Sequence, residues 1–405
     1  MTAKERRKAA YAFLVLLGII SLFSDLTYEG ARSILGPFLL LLGASAATVG
    51  FVSGLGELIG YALRLATGFI SDRSRRYWLM TIIGYAINLL AVPALALAPG
   101  YGWMFACGLI VLERFGKAIR HPAKTTLVSF AANEVGAGTG FALQQVLDQI
   151  GAFLGPVLLF AVLSLKETSG DKLSAYSLGF LLLGIPGLTV MALLVLAKIR
   201  YPRPHELESA ASTPSSGGPS FDRVYWFYMA GIALLGFGFA DFPLMAFHLT
   251  KRQILADNLV PICYAVAMAV DAASSFVFGR MYDRRGMDAI VLASAVSAFF
   301  APLVFLFRAP VFAILGIVLW GVGMGAQESV LKAVVAKIVV KERRGVAYGI
   351  FYTGFGAFWF LGSWAMGLLY DRSLPALVIM SLTAQLAALP FFIRTKSLLA
   401  RSAKG

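Results

Sequence analysis

Along the chain, long apolar runs alternate with short polar ones. A helix needs about 20 mostly apolar residues to cross the hydrocarbon of a bilayer. With that ruler the sequence predicts twelve spans, near 10–41, 46–70, 77–98, 102–124, 138–165, 174–198, 224–250, 259–281, 287–307, 310–337, 346–370 and 374–394. One stretch breaks the rhythm. Residues 199–222, with YPRPHELESAASTPSSGGPS at their centre, are rich in Pro, Ser and Gly and have no apolar period, which reads as a linker between two sets of six spans.

Composition narrows the class. Of 405 residues 59% are apolar and 14% charged, against about 25% charged in ordinary soluble proteins. Too few charges remain to cover soluble domains, so a cytosolic enzyme, a disordered chain and a disulfide scaffold are excluded. The net charge of +14 would suggest nucleic acid in a soluble domain, but the basic residues have another pattern. With the amino terminus inside, cytoplasmic segments hold 24 Lys and Arg and the opposite loops hold six, which predicts both termini inside. The basic start at Lys4–Lys8 imitates a secretion signal, yet its apolar run continues through Asp25, Glu29 and Arg32, so it is read as a retained first span. Cys107 and Cys263 lie inside apolar runs, as small buried side chains do. With His121, His205 and His248 the only histidines, no metal-ligand spacing occurs.

The two sets of spans repeat. Gly68-x-x-x-Asp72-Arg73 after the second span recurs as Gly279-x-x-x-Asp283-Arg284 after the eighth, an offset of 211. Gly140 and Gly151-Ala152-Phe153 recur as Gly345 and Gly356-Ala357-Phe358, an offset of 205. Parallel six-helix repeats are the architecture of secondary transporters with a midplane site.

These residues resemble the major facilitator superfamily along essentially the whole chain. Gly68, Asp72, Arg73 and Arg76 fit that family's motif A, G-x-x-x-D-R-x-G-R-R, except that Arg75 stands at its second glycine; the copy at Gly279, Asp283 and Arg284 keeps that glycine as Gly286. Gly151-x-x-x-Gly155-Pro156 is similar to motif C, associated in the family with proton-driven exporters, without its trailing glycine pair: Leu159 and Phe160 stand there. The stretch from Glu113 to Lys124 looks like a prokaryotic branch. The resemblance implies an all-α polytopic membrane protein of twelve transmembrane helices in two pseudo-symmetric six-helix bundles, 1–198 and 223–405, joined by a cytoplasmic linker at 199–222. It implies a monomeric transporter of the inner or plasma membrane. Its partners would be a small-molecule substrate, protons and lipid, with no nucleic acid and no cofactor beyond the proton gradient.

An ionisable residue at mid-membrane costs roughly 2.5–3.5 kcal/mol on insertion scales, so each needs a partner or a wet cavity. Asp25, Glu29 and Arg32 share one face of the first span; Glu57 and Arg64 lie in the second. The fourth carries Glu113 and a stripe of Arg114, Lys117, Arg120 or His121, and Lys124, with Glu113 in reach of Lys117; the fifth carries Asp148. Asp241, Asp271, Glu328 and Lys332 follow in spans seven, eight and ten. In the superfamily spans 1, 4, 7 and 10 line the cavity, with 2, 5, 8 and 11 contributing, and the charges fall on these. Asp25 is the first choice for a proton carrier, because an apolar wall favours a carboxylate's neutral form; Arg114 is the expected counter-ion, with Asp148 and Glu57 as substitutes. Locked ion pairs between helices are the structural alternative. Asp72 and Asp283 suit a charge latch at a helix end, and Gly151 and Gly155 suit close packing.

Phe237, Phe239, Phe242, Phe247, Trp359 and Phe360 suit a flat ligand or, equally, ordinary packing, and His248 with Asp241 spans two helical turns as a metal-ligand pair would. The favoured function is secondary active transport, with proton-coupled export first, uptake or exchange of an anionic solute second, and a divalent metal or its chelate third. No phosphate-binding loop and no nucleophile–base set occurs, against an ATP-driven pump or an intramembrane enzyme. A sensor or scaffold on a transporter fold is the non-transport alternative.

Overall fold

The computed structural model describes residues 3–166, 171–207, 223–339 and 344–402, and every predicted span is helical in it. The first two spans are α1 (Ala3–Leu41) and α2 (Ala46–Ser74). The third is α3 (Tyr77–Ala94), continued by a 3-10 turn and the short α4 (Ala98–Tyr101). Then come α5 (Trp103–Val135), α6 (Ala137–Lys166) and α7 (Lys172–Arg200). The seventh span is broken into α8 (Arg223–Gly238) and α9 (Phe242–Lys251); α10 (Leu259–Arg285) is continuous. The ninth is α11 (Asp288–Ser297) with α12 (Phe300–Leu306). The tenth is α13 (Pro310–Ala326), a π-turn at Gln327–Leu331 and α14 (Lys332–Ile338). Helices α15 (Arg344–Arg372) and α16 (Leu374–Ser402) complete the set. The linker expected at 199–222 is described only to residue 207, after a 3-10 turn at Pro204–Leu207; its remainder lies outside the described residues.

Ten of these spans are long and apolar enough to cross a membrane by themselves. The fourth, α5, is interrupted by Glu113, Arg114, Lys117, Arg120 and Lys124, and the eleventh, α15, is diluted by Gly, Tyr and Trp. This is a multi-pass membrane fold built of helices, the structure that satisfies backbone polar groups internally in lipid.

The chain gathers into two compact units, 1–43 with 63–213 and 44–62 with 214–405, so that the amino-terminal part of α2 belongs to the second. In the first unit, glycines bring helices backbone to backbone. A Cβ on Gly151 would strike the Leu22 carbonyl and one on Gly155 the Leu26 carbonyl, which seats α6 along α1. A Cβ on Gly84 would stand 2.6 Å from the Arg120 nitrogen and one on Gly116 2.7 Å from the Gly84 carbonyl, which seats α5 along α3. Such seams are how small residues pack helices where lipid offers no hydrophobic drive. At the end of this unit Phe13 packs against Tyr201, tilted, with ring centroids 4.7 Å apart, and the Trp78 indole N–H donates to the Tyr201 carbonyl at 3.0 Å.

The second unit solves a different problem. Breaking the seventh span at 239–241 frees backbone carbonyls inside the bundle, and side chains answer them. Ser381 Oγ and Gln385 Nε2 donate to Gly238 O at 2.6 and 3.1 Å, and Trp320 Nε1 donates to Ala240 O at 2.8 Å. A Cβ on Gly321 would stand 2.7 Å from the Ala267 carbonyl, which fits α13 closely to α10.

Candidate functional site

Ser21, Asp25, Tyr28 and Arg32 follow one another at four, three and four residues, which places all four on one stripe of α1. Arg114, Lys117, Arg120 and Lys124 form a matching stripe on α5. The two stripes meet in antiparallel order: as the partner on α5 moves toward its carboxyl end, the partner on α1 moves toward its amino end. Arg114 donates to the Tyr28 hydroxyl, Lys117 Nζ lies 3.5 Å from the centroid of the same ring, Arg120 Nη2 is 4.0 Å from Asp25 Oδ1, and Lys124 donates to Ser21 Oγ. The result is a ladder of charge and hydroxyl groups through the middle of the first unit.

Two further helices brace the ladder. From α6, Asp148 Oδ1 stands 3.8 Å from Lys124 Nζ, and Gln144 bonds both Ser21 Oγ at 3.4 Å and the Leu14 carbonyl at 2.7 Å. From α3, the Tyr85 ring lies under the Arg120 guanidinium at 4.3 Å, and Asn88 Nδ2 donates to the Glu113 backbone carbonyl at 3.1 Å and to its carboxylate. Cation–ring contacts of this kind strengthen when desolvated. The side chains of Arg114 and Arg120 are each 5% exposed, whereas those of Asp25 and Asp148 are 22% and 29% exposed. The two guanidinium groups are buried, and the carboxylates of Asp25 and Asp148 are part-exposed.

This register corrects two expected pairings. The counter-ion of Asp25 is Arg120 rather than Arg114, and Glu113 pairs with Arg114, Nε to Oε2 at 3.4 Å, rather than with Lys117. Spacing on one helix fixes which residues share a face, but only the packing of α5 on α1 and α3 fixes which rungs align. Glu29 faces Arg32 at 4.0 Å.

The ladder thus gathers Asp25, Glu29, Arg32, Glu113, Arg114, Lys117 and Asp148 from the expected set. Tyr28, Tyr85, Asn88, Ser21 and Gln144 went unnoticed in the sequence because they carry no charge, although Ser21 and Tyr28 share the stripe of Asp25. The other expected residues lie in the second unit on separate elements. Glu57 is half-buried on the 44–62 stretch of α2, Asp241 is buried at the α8–α9 break, Asp271 is buried on α10, and Glu328 is exposed on the π-turn.

The aromatic set is packed on itself. Phe239, Phe242, Phe247 and Trp359 are all buried, with Phe239 and Phe242 against Trp320 at 5.8 and 6.0 Å between centroids, and Phe360 meets Phe51 and Trp364. His248 is buried beside the Tyr370 hydroxyl, 3.0 Å from its Nδ1, and edge-on to Phe305. Among the described residues no group of three His, Cys, Asp or Glu side chains is placed to hold a metal.

The two helix-end motifs share a positive φ and a backbone hydrogen bond as well as sequence. After Gly68, Asp72 and Arg73, α2 ends and Arg75 takes φ +52°, with Arg76 following; after Gly279, Asp283 and Arg284, α10 ends and Gly286 takes φ +59°. Each left-handed residue stands three positions beyond its aspartate and donates its N–H four residues back, Arg75 to Ser71 O at 2.9 Å and Gly286 to Tyr282 O at 2.8 Å. Asp72 and Asp283 are exposed, and no ion pair includes either among the described residues. Pro156 lies inside α6, one residue beyond the Gly155 contact.

Comparison with known proteins agrees with this architecture. Residues 17–363, and again 258–404, match the family described as Major Facilitator Superfamily. An uncharacterized protein of Mycobacterium tuberculosis strain H37Rv is 39% identical over 385 residues, covering 94% of this chain and 92% of the relative. An uncharacterized MFS-type transporter of Methanocaldococcus jannaschii is 24% identical over 347 residues, 84% of each chain. Among solved structures, a bacterial homologue of the iron transporter ferroportin in an inward-facing state has a TM-score of 0.71 at 14% identity, covering 96% of this chain and 99% of that one. The nucleoside transporter NupG has a TM-score of 0.70 at 14% identity over 96% and 99%. At that identity the solved structures show the fold alone.

Proposed function

Because the chain belongs to the major facilitator superfamily, and so is a membrane transporter of small molecules rather than an enzyme, we propose that it couples solute movement to protons through the charge ladder of its first unit. The observation that carries this reading is the Asp25–Arg120 pair: a part-exposed carboxylate against a sealed guanidinium. A proton reaching Asp25 cancels its charge and releases Arg120, a change of one full charge in a poorly screened interior. Asp148 and Lys124 form a second pair of the same kind one rung away. Coupling then follows from alternating access, with the protonation state of these pairs deciding which loaded form crosses.

Export by antiport is the direction that the Gly151, Gly155 and Pro156 likeness suggests. The two glycines, however, already have a full account in the seam between α6 and α1, so the direction is left to the sign of the proton flux. In the same reading the chain works as a monomer in the inner or plasma membrane with both termini cytoplasmic, as the 24 to six distribution of Lys and Arg supports.

The test is proton flux in proteoliposomes loaded with a pH dye, with wild type and Asp25→Asn compared over a pooled set of solutes. The expected result is a solute-dependent change of luminal pH in wild type that is lost in Asp25→Asn. Its sign separates symport from antiport. Equal solute entry in both, with no proton movement, would remove Asp25 from the coupling step and leave exchange or uniport.

A further inference from the structure

On these nine side chains the charges do not balance: Asp25, Glu29, Glu113 and Asp148 face Arg32, Arg114, Lys117, Arg120 and Lys124, four carboxylates against five cations. The geometry also shows where the excess sits. Arg32, Arg114, Arg120 and Lys124 each have a carboxylate within 4.0 Å. Lys117 has none among the described residues; its half-buried ammonium rests on the ring of Tyr28, whose hydroxyl is already engaged by Arg114. A lysine held inside a membrane on a ring face, with guanidinium groups on both sides of that ring's helix turn, is an arrangement that favours an incoming negative charge.

We infer that the transported solute is a small oxyanion, bearing a carboxylate or phosphate, that binds at Lys117 beside Tyr28 and Arg114 and travels in the same direction as the proton. This inference rests on the proton coupling proposed above and gives it a sign. Asp25 is faced by Arg120, Lys117 and Lys124 from α5 and by Asp148 from α6, with Glu29 one turn along its own helix; Tyr85 comes from α3 under Arg120, and α7 carries no Asp, Glu, Lys or Arg between Lys172 and Lys198. Protonating Asp25 therefore raises the excess positive charge around Lys117 from one to two and frees Arg120 to help hold an anion. Proton and anion then bind cooperatively, and by linkage each strengthens the other by the same factor. A cationic solute would compete with the proton instead, which is the logic of exchange. The ladder thus favours symport of an anion over the export that the Gly151, Gly155 and Pro156 likeness suggests.

The test measures binding to the purified full chain in detergent by the shift of its thermal unfolding midpoint, at pH 5.5 and pH 8. The probes are acetate, succinate, inorganic phosphate and glycerol 3-phosphate, with glucose and tetraphenylphosphonium as neutral and cationic controls. At least one oxyanion is expected to stabilise wild type, about tenfold more tightly at the lower pH, within the usual range of coupling between sites. Carboxylate and phosphate probes separate the two headgroups. Lys117→Gln should abolish the shift and Lys117→Arg should keep it, while Asp25→Asn should bind the anion equally at both pH values. Stabilisation by glucose or tetraphenylphosphonium alone, no response to any of the four anions, or an anion response unchanged in Lys117→Gln would overturn the anion site. Anion binding through Lys117 that ignores pH in wild type would leave that site standing and overturn the cooperativity, and with it the coupling role of Asp25.

Discussion

The two units share a repeat and have filled it with opposite chemistry. The first holds its interior with the cations of α5 set against a carboxylate, a ring and hydroxyls of α1, braced by Tyr85, Asn88 and Asp148. The second holds its interior with rings, Phe239, Phe242, Tyr264 and Trp320 packed on one another, and spends its polar groups on a broken helix. Duplication preserves the backbone more faithfully than the side chains, because helix length and glycine seams set the fold while the site needs only a few stripes. In the reading proposed above, the chemistry lies in one unit and the irregular backbone in the other. Irregular turns such as the π-turn at Gln327–Leu331 occur often at functional positions of helices.

Breaking the comparison begins with the seams. Gly155→Val would push a side chain into the Leu26 carbonyl and Gly30, and should cost about 3 kcal/mol or more, since overpacking a rigid contact has nowhere to relax. Little folded protein should survive extraction in detergent. Gly60→Ala, whose new Cβ meets nothing within 4 Å, should be silent in the same assay.

A middle-sized effect separates the two chemistries. Trp320→Phe leaves the Ala240 carbonyl without its donor and should lower stability by about 1–2 kcal/mol, with proton coupling intact. Tyr28→Phe keeps the ring under Lys117 but removes the hydroxyl that Arg114 bonds. It should weaken solute binding several-fold, on the order of one hydrogen bond to a charged group, with a smaller change of unfolding midpoint than Trp320→Phe. If both variants moved only the midpoint, the division between a chemical unit and a structural unit would be wrong.

The smallest effect sharpens the repeat itself. Arg75 pays for its left-handed backbone and Gly286 does not. Arg75→Gly should therefore stabilise by about 0.5–1 kcal/mol and Gly286→Ala should destabilise by about 1 kcal/mol. Equal and negligible shifts at both positions would mean that the turn relaxes freely and that its matching φ values carry no strain.

All twelve spans were legible in the sequence because a run of apolar residues long enough to cross lipid leaves few other choices. The stripe of Asp25 and Arg32 was legible for the same reason: helical period alone puts them on one face. What the sequence withheld was register. Nothing in the spacing of Arg114, Lys117 and Arg120 says which of them meets Asp25; that is decided by Gly84 and Gly116, which let α5 slide against α3 until Arg120 lies over Tyr85. The neutral members leave no such signal, because a tyrosine or serine on an apolar helix costs little and shows its role only once a cation rests on it. The break at 239–241 leaves no mark on the apolar run near 224–250, because the donors that satisfy it, Trp320, Ser381 and Gln385, lie far away in the chain.

The polarity of α5 also bears on how the protein is made. Arg114, Lys117, Arg120 and Lys124 each cost roughly 2.5–3.5 kcal/mol near mid-membrane when unpartnered, so this helix, as synthesised, is a poor candidate to enter lipid by itself. Its partners lie on either side in the order of synthesis: Asp25 on α1, already emerged, and Asp148 on α6, still to come. Pairing with α1 and α6 is therefore expected to lower the cost of placing this helix in lipid. The pairs proposed to handle a proton in the finished molecule would then also offset, during its synthesis, the charge that the fourth span brings into the bilayer.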